Sequence, residues 1–193
     1  ETSAGLAEIY LHGAHITRFE KRGEAPLLFM SEASEFTPKK PIRGGVPVIF
    51  PWFGPRDGLP AHGYARTVEW DLVETSLLPD GSVGLRFELP RLGDFKVEYR
   101  VTVGAELTLE LDVLNIGNRD FDFEACLHTY LQVSGIDAIS LTGLSKCGFL
   151  NKLNNANMVE SAPEIRITSE VDRVYYDHTA TVAIHDPGYN RTI

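Results

Sequence analysis

Two histidines and two arginines are the side chains best placed by type to do chemistry. His128 lies in "FEACLHTYLQV" (123–133). Read as a strand, that stretch puts Phe123, Ala125, Leu127, Thr129, Leu131 and Val133 on one face. Glu124, Cys126, His128, Tyr130 and Gln132 take the other. Histidine has an ordinary pKa of about 6.5, close to working pH, which suits a general acid or base. A row of rings and short polar groups also suits a sugar, with flat rings for C–H faces and polar groups for hydroxyls. On pattern alone the plainer reading, an exposed strand histidine, is the commoner case, and both stay open.

His62 sits in "LPAHGYAR" (59–66), between Pro60 and Gly63, on a loop whose prolines limit its freedom. Arg43 precedes Gly44 and Gly45, and Arg66 follows His62 by four. Guanidinium forks bind phosphate in pairs of hydrogen bonds, and glycine lets backbone N–H groups approach an anion. Residues 39–66 hold Lys39, Lys40, Arg43, Arg56 and Arg66 against Asp57 alone, a local charge of 5 − 1 = +4. The whole chain carries 18 − 27 = −9, so the remainder carries −13. A small anion is attracted to this segment, although a solvated basic loop has the same composition. Asp172, in "SEVDRVY" (169–175), stands at a strand end, where a carboxylate is usually a turn former.

Other chemistries lack their signatures. No GxxxxGK[ST] phosphate loop occurs, and Pro47, Pro51 and Pro55 are spaced by four, not as PxxP. The six histidines form no HxH, HxxxH or HExxH pattern, so metal catalysis is not expected. Cys126 and Cys147 lack CxxC spacing and read as two free thiols of a reducing compartment, the cytoplasm. The net negative charge opposes binding to nucleic acid or to anionic membranes. No apolar run approaches the roughly 20 residues that span a bilayer, and no secretory leader is visible.

The elements that must position these residues are strands. Period-two alternation runs through Val83–Leu89, Phe95–Val103 and Leu107–Val113, with turn chemistry at Asp80-Gly81 and Asn115–Asn118. Further strands are expected at about residues 6–11, 14–20, 26–30, 68–77, 121–133, 137–142 and 180–185, while 146–164 reads as irregular. Helical periodicity is nearly absent. The expectation is an all-β, antiparallel β-sandwich, one domain over residues 1–193.

Six segments together resemble the aldose 1-epimerase (galactose mutarotase-like) superfamily. They are "HGAHITRF" (12–19), "PIRGGVPVIFPWFG" (41–54), "LPAHGYAR" (59–66), "LHTYLQV" (127–133), "LTGL" (141–144) and "EVDRVY" (170–175). The closer resemblance is to its hexose-6-phosphate mutarotase branch, the glucose-6-phosphate 1-epimerases. It runs in order along almost the whole chain, and the 41–66 block is its specific part. The resemblance implies a supersandwich with the sugar on a concave sheet face, and no cofactor or metal. It makes His128 the acid that protonates the ring oxygen and His62 a second histidine near that oxygen and the C1 hydroxyl. Asp172 would hold sugar hydroxyls, and Arg43 and Arg66 would contact substrate, the basic loop gripping the 6-phosphate.

That family takes its base from a glutamate on a strand well beyond the aspartate, whereas no carboxylate follows Asp186 here. The resemblance therefore implies a single mutarotase-like domain truncated at both ends. Two function classes stand. One is an isomerase of hexose 6-phosphates whose base lies elsewhere in the protein; the other is a non-catalytic sugar-phosphate binding module of the same fold. Neither implies nucleic-acid or membrane partners, and neither indicates an oligomeric state.

Overall fold

A computed structural model describes all residues 1–193. Fifteen strands, every strand pairing antiparallel, and one short 3₁₀ turn make up its regular structure. The chain forms two compact units, Glu1–Gln132 and Val133–Ile193.

In the first unit, β1 (Gly5–Tyr10) and β2 (His15–Lys21) form a hairpin. β3 (Val48–Ile49) comes next, followed by the 3₁₀ turn Ala65–Thr67. β4 (Asp71–Leu77), β5 (Val83–Glu88), β6 (Phe95–Val103) and β7 (Leu107–Asn115) make a four-stranded meander, and β8 (Cys126–Leu127) pairs with β3. The alternation expected in Phe95–Val103 is realised in full. Phe95, Val97, Tyr99, Val101 and Val103 are buried, and the residues between them are half-buried. They pack with Phe87 and Leu89 against Ile16, Phe19, Val46, Val48, Phe50 and Trp70, which forms the core of this unit. Burying a side chain of this size contributes about 1.5–3 kcal/mol.

The second unit holds two small sheets. β9 (Ser140–Thr142), β12 (Glu164–Arg166), β14 (Ala183–Asp186) and β15 (Arg191–Thr192) form one. β10 (Gly148–Asn151), β11 (Ala156–Val159) and β13 (Arg173–Tyr175) form the other.

Three element expectations need correction. The stretch 146–164 is not irregular: Asn151 pairs with Ala156 across a four-residue turn, and Asn155 takes the left-handed φ of 55° that asparagine tolerates. Residues 26–30 form no strand of their own: they pair through isolated bridges, Leu28 to Leu131 and Met30 to Gly44, backed by bonds such as Phe29 N–H to the Tyr130 carbonyl at 3.0 Å.

The expected strand 121–133 shrinks to β8 for a reason legible in its partner. The N–H groups of Glu124, His128 and Tyr130 donate to the carbonyls of Pro51, Pro47 and Gly45 at 2.8–3.0 Å. These bonds extend the β3–β8 register in both directions, since Val48 faces Leu127. Pro47 and Pro51 have no N–H to return. The ladder is one-sided there, and the Thr129 N–H turns back to the Leu127 carbonyl at 2.8 Å, so the strict alternation expected over 123–133 is not kept: Phe123, Ala125 and Thr129 are exposed.

Candidate active site

The segment 124–130 and the loop 50–66 meet in one cluster of rings. The centroids of His62 and His128 are 5.8 Å apart with planes inclined by 31°. Phe53 packs edge-on against His62 at 4.8 Å and stands 6.4 Å from His128, whose other side faces Tyr130 at 5.2 Å. His128 and Tyr130 thus stand side by side, as their i, i+2 spacing implies.

His62 is placed by its own backbone. The loop returns on itself: His62 N–H donates to the Gly54 carbonyl at 2.8 Å, and Gly54 N–H donates to His62 Nδ1 at 3.1 Å. An Nδ1 that accepts leaves the proton of the neutral ring on Nε2. His62 has a φ of 66° and Gly63 one of 71°. The second position needs glycine, because a Cβ there would collide with the carbonyl of Phe50. That carbonyl also receives the N–H groups of Tyr64 and Ala65 at 3.1 and 3.3 Å. Phe50 is buried among Phe95, Phe121 and Phe123, with centroids 5.3–6.2 Å away, so the loop is anchored in the core.

Arg66 belongs to the 3₁₀ turn, whose Ala65 is fully buried and accepts the indole N–H of Trp70 at 2.8 Å. From there a terminal guanidinium nitrogen donates to the carbonyl of Ala61, next to His62, at 2.8 Å, while the buried Nε has no hydrogen-bond partner. Burial holds the Arg66 pKa below the usual arginine range; Tyr130 offsets this, and the charge of Arg43 adds to it. Arg43 and Tyr130 therefore lie within electrostatic reach of Arg66. Arg43 itself is exposed, its N–H donating to Ser34 Oγ at 2.9 Å.

Behind this face His15 is fully buried, and its Nε2 donates to the Gly44 carbonyl at 2.8 Å. Burial lowers its pKa to about 4, with Gly44 opposing and His12 and Arg66 adding to the fall.

Four of the five residues expected at the site lie in the first unit: His62 and His128 share the ring cluster, Arg66 bonds the Ala61 carbonyl beside His62, and Arg43 acts electrostatically on Arg66. Asp172 lies in the second unit, just before β13, where its carbonyl accepts the Lys152 N–H at 2.9 Å and its carboxylate is 3.8 Å from Lys152 Nζ. A cavity of about 610 Å³ in the first unit lies elsewhere: Tyr10, His12, Phe36, Lys39 and Glu69 line it, and none of the four site residues does.

The sequence put Tyr130 and Glu124 on the His128 face without giving either a role, and Phe53 was not singled out. Tyr130 was signalled by its i+2 spacing from His128. Glu124 shares that face by the same spacing, but nothing in the sequence marks its partners: its Oε2 accepts the Phe53 N–H at 2.8 Å and lies 3.7 Å from an Arg56 terminal nitrogen.

Antiparallel sheets around a paired-histidine, arginine-flanked face define a galactose mutarotase-like fold. The chain belongs to the aldose 1-epimerase family, with a match over residues 1–193. It is 36% identical over 198 residues to a candidate glucose-6-phosphate 1-epimerase of Escherichia coli (strain K12), covering 97% of this chain and 65% of that protein. A like-named protein of Cenchrus ciliaris is 31% identical over 206 residues, covering 96% of this chain and 62% of that one. This chain thus spans somewhat less than two thirds of the length of these relatives. Among solved structures, a candidate mutarotase (YeaD) from Salmonella typhimurium superposes with a TM-score of 0.90 at 32% identity, covering all of this chain and 67% of that one. The protein HI1317 superposes with a TM-score of 0.82 at 30% identity, covering all of this chain and 69% of its own.

Proposed function

We propose that this chain carries the acid and the phosphate-reading groups of a glucose-6-phosphate 1-epimerase, an isomerase that interconverts the α and β anomers of hexose 6-phosphates. One observation carries the reading: two imidazoles 5.8 Å apart, one of them beside the Ala61 carbonyl that the Arg66 guanidinium holds at 2.8 Å. A pyranose ring and its 6-phosphate present a face of C–H groups, a ring oxygen, hydroxyls and a dianion. The cluster offers aromatic edges, ring nitrogens and two permanent cations to match.

Anomers interconvert when the C1 hydroxyl loses its proton and the ring oxygen gains one. The C1–O5 bond breaks, the aldehyde rotates about C1–C2, and closure returns both protons with the other configuration at C1. His128 is the acid for the ring oxygen. His62, with its proton on Nε2, donates a hydrogen bond to the sugar near C1. Arg43 and Arg66 hold the phosphate. An acid and a base positioned in this way each contribute about 10² to 10⁴ in rate. Glu124 is not the base, since its Oε2 is engaged by the Phe53 N–H and Arg56.

The test is polarimetry of fresh α-D-glucose 6-phosphate and α-D-glucose with the full-length protein. Acceleration selective for the phosphorylated sugar supports the proposal. Tight hexose 6-phosphate binding without acceleration replaces it with the non-catalytic binding module.

A further inference from the structure

Glu124 is spent on backbone, and the backbone it holds carries His62. The one-sided ladder between 124–130 and 45–51 ends where the Glu124 N–H donates to the Pro51 carbonyl at 3.0 Å. The next inward N–H of the loop, that of Phe53, finds the side chain of the same glutamate at 2.8 Å. The carboxylate therefore supplies one more rung after the backbone acceptors run out. Its other neighbour is Arg56, 3.7 Å away, whose guanidinium lies 5.2 Å from the centroid of the Trp52 ring. Glu124 thus ties both shoulders of the turn that contains Gly54.

The orientation of the Gly54 N–H follows from that tie. Phe53 lies between two anchored peptides: the N–H of the 52–53 peptide donates to Glu124, and the N–H of the 53–54 peptide donates to His62 Nδ1. Gly54 has a φ of 78° and a Cβ there would meet nothing within 4 Å, so no steric wall restrains it. Freed from Glu124, the turn can rotate its N–H away from Nδ1, which removes the bond that keeps the proton off that nitrogen.

We propose that Glu124 is a positioning residue which, by clamping the Phe53–Arg56 turn, fixes His62 as the Nε2–H tautomer and so as a hydrogen-bond donor at the sugar. The catalytic consequence rests on the function proposed above; the tautomer does not.

The experiment is long-range ¹H–¹⁵N correlation of the histidine rings in the full-length protein, wild type, Glu124→Ala and Glu124→Gln, beside mutarotation kinetics. The Glu124 side chain is 58% exposed, so both variants are expected to fold. Wild-type His62 shows Nε2 protonated. Glu124→Ala brings in the Nδ1–H form and lowers kcat about tenfold with little change in KM. Glu124→Gln keeps an acceptor for the Phe53 N–H, retains the wild-type tautomer and restores most of the rate. A wild-type His62 protonated on Nδ1, or a Glu124→Ala protein with an unaltered His62 tautomer, overturns the clamp. A clamp seen by NMR in a protein that accelerates nothing leaves the clamp standing and removes the epimerase.

Discussion

His62 and His128 are held in register by different parts of the same sheet edge. His128 is fixed by its N–H bond to the Pro47 carbonyl, and His62 by a loop that closes on the Phe50 carbonyl, three residues further along the same segment. Their 5.8 Å separation is therefore set by the β geometry of residues 47–50 and not by contact between the rings alone. A pair spaced by backbone is suited to bracketing a substrate that must not displace either partner.

Removal of His128 is the most direct challenge to the proposed acid. His128→Ala is expected to lower the rate of glucose 6-phosphate anomerisation by about 10² to 10⁴, measured by polarimetry. The hexose 6-phosphate Kd should change far less, because the arginines remain. An undiminished rate removes His128 from the mechanism.

The arginines should separate phosphate reading from sugar reading. Arg43→Ala is expected to weaken glucose 6-phosphate by about tenfold, the value of one charge-assisted bond, and to leave free glucose unchanged. Arg66→Ala should cost more and should affect both sugars, because Arg66 also bonds the Ala61 carbonyl beside His62. Inhibition by inorganic phosphate, titrated against each variant, checks this: equal Ki values for wild type and Arg43→Ala would show that Arg43 does not touch the anion.

The sequence disclosed types and faces more readily than convergence. Phe95–Val103 alternates so regularly that its buried face could be read residue by residue, because burial on one side of a pleat leaves a period of two. The same rule brought His128 and Tyr130 side by side. The extent of their strand was overestimated because the rule sees one strand and not its partner, and the prolines that break the ladder lie far away at 47 and 51. The Asn-rich tract misled in the opposite sense: asparagines that favour turns were read as a loop, although two short strands flank one turn. Glu124 was unreadable because its partner is a backbone N–H, which no residue type advertises.

Gly63 should tolerate no side chain. Gly63→Ala forces a Cβ into the Phe50 carbonyl at a left-handed φ of 71°, and the loop must move to accept it. The expected cost is about 3 kcal/mol, combining strain at a left-handed backbone with local overpacking. Urea denaturation reads this directly. Because the displaced residue adjoins His62, the ring-cluster geometry should fail with it, and mutarotation should fall even at temperatures where the variant stays folded. A variant of wild-type stability would show that the turn has room the structure does not grant.

Acid should expose His15. Its folded pKa is about 4, lowered by burial and by Arg66 and His12, against about 6.5 in the unfolded chain. Between those values the unfolded state binds the extra proton, so stability rises with pH and is lost as pH falls from about 6.5 towards 4. A lowering of that size corresponds to a loss on the order of 3 kcal/mol by pH 4. Carboxylates titrate over the lower part of the same range, so the comparison that isolates the imidazole is His15→Gln, which retains a donor for the Gly44 carbonyl. Urea denaturation at pH 7, 6, 5 and 4 should give a wild-type curve that falls more steeply than the variant's by up to one proton, about 1.4 kcal/mol per pH unit. Parallel curves would mean that His15 takes up its proton while folded, which a fully buried ring beside Arg66 should not do.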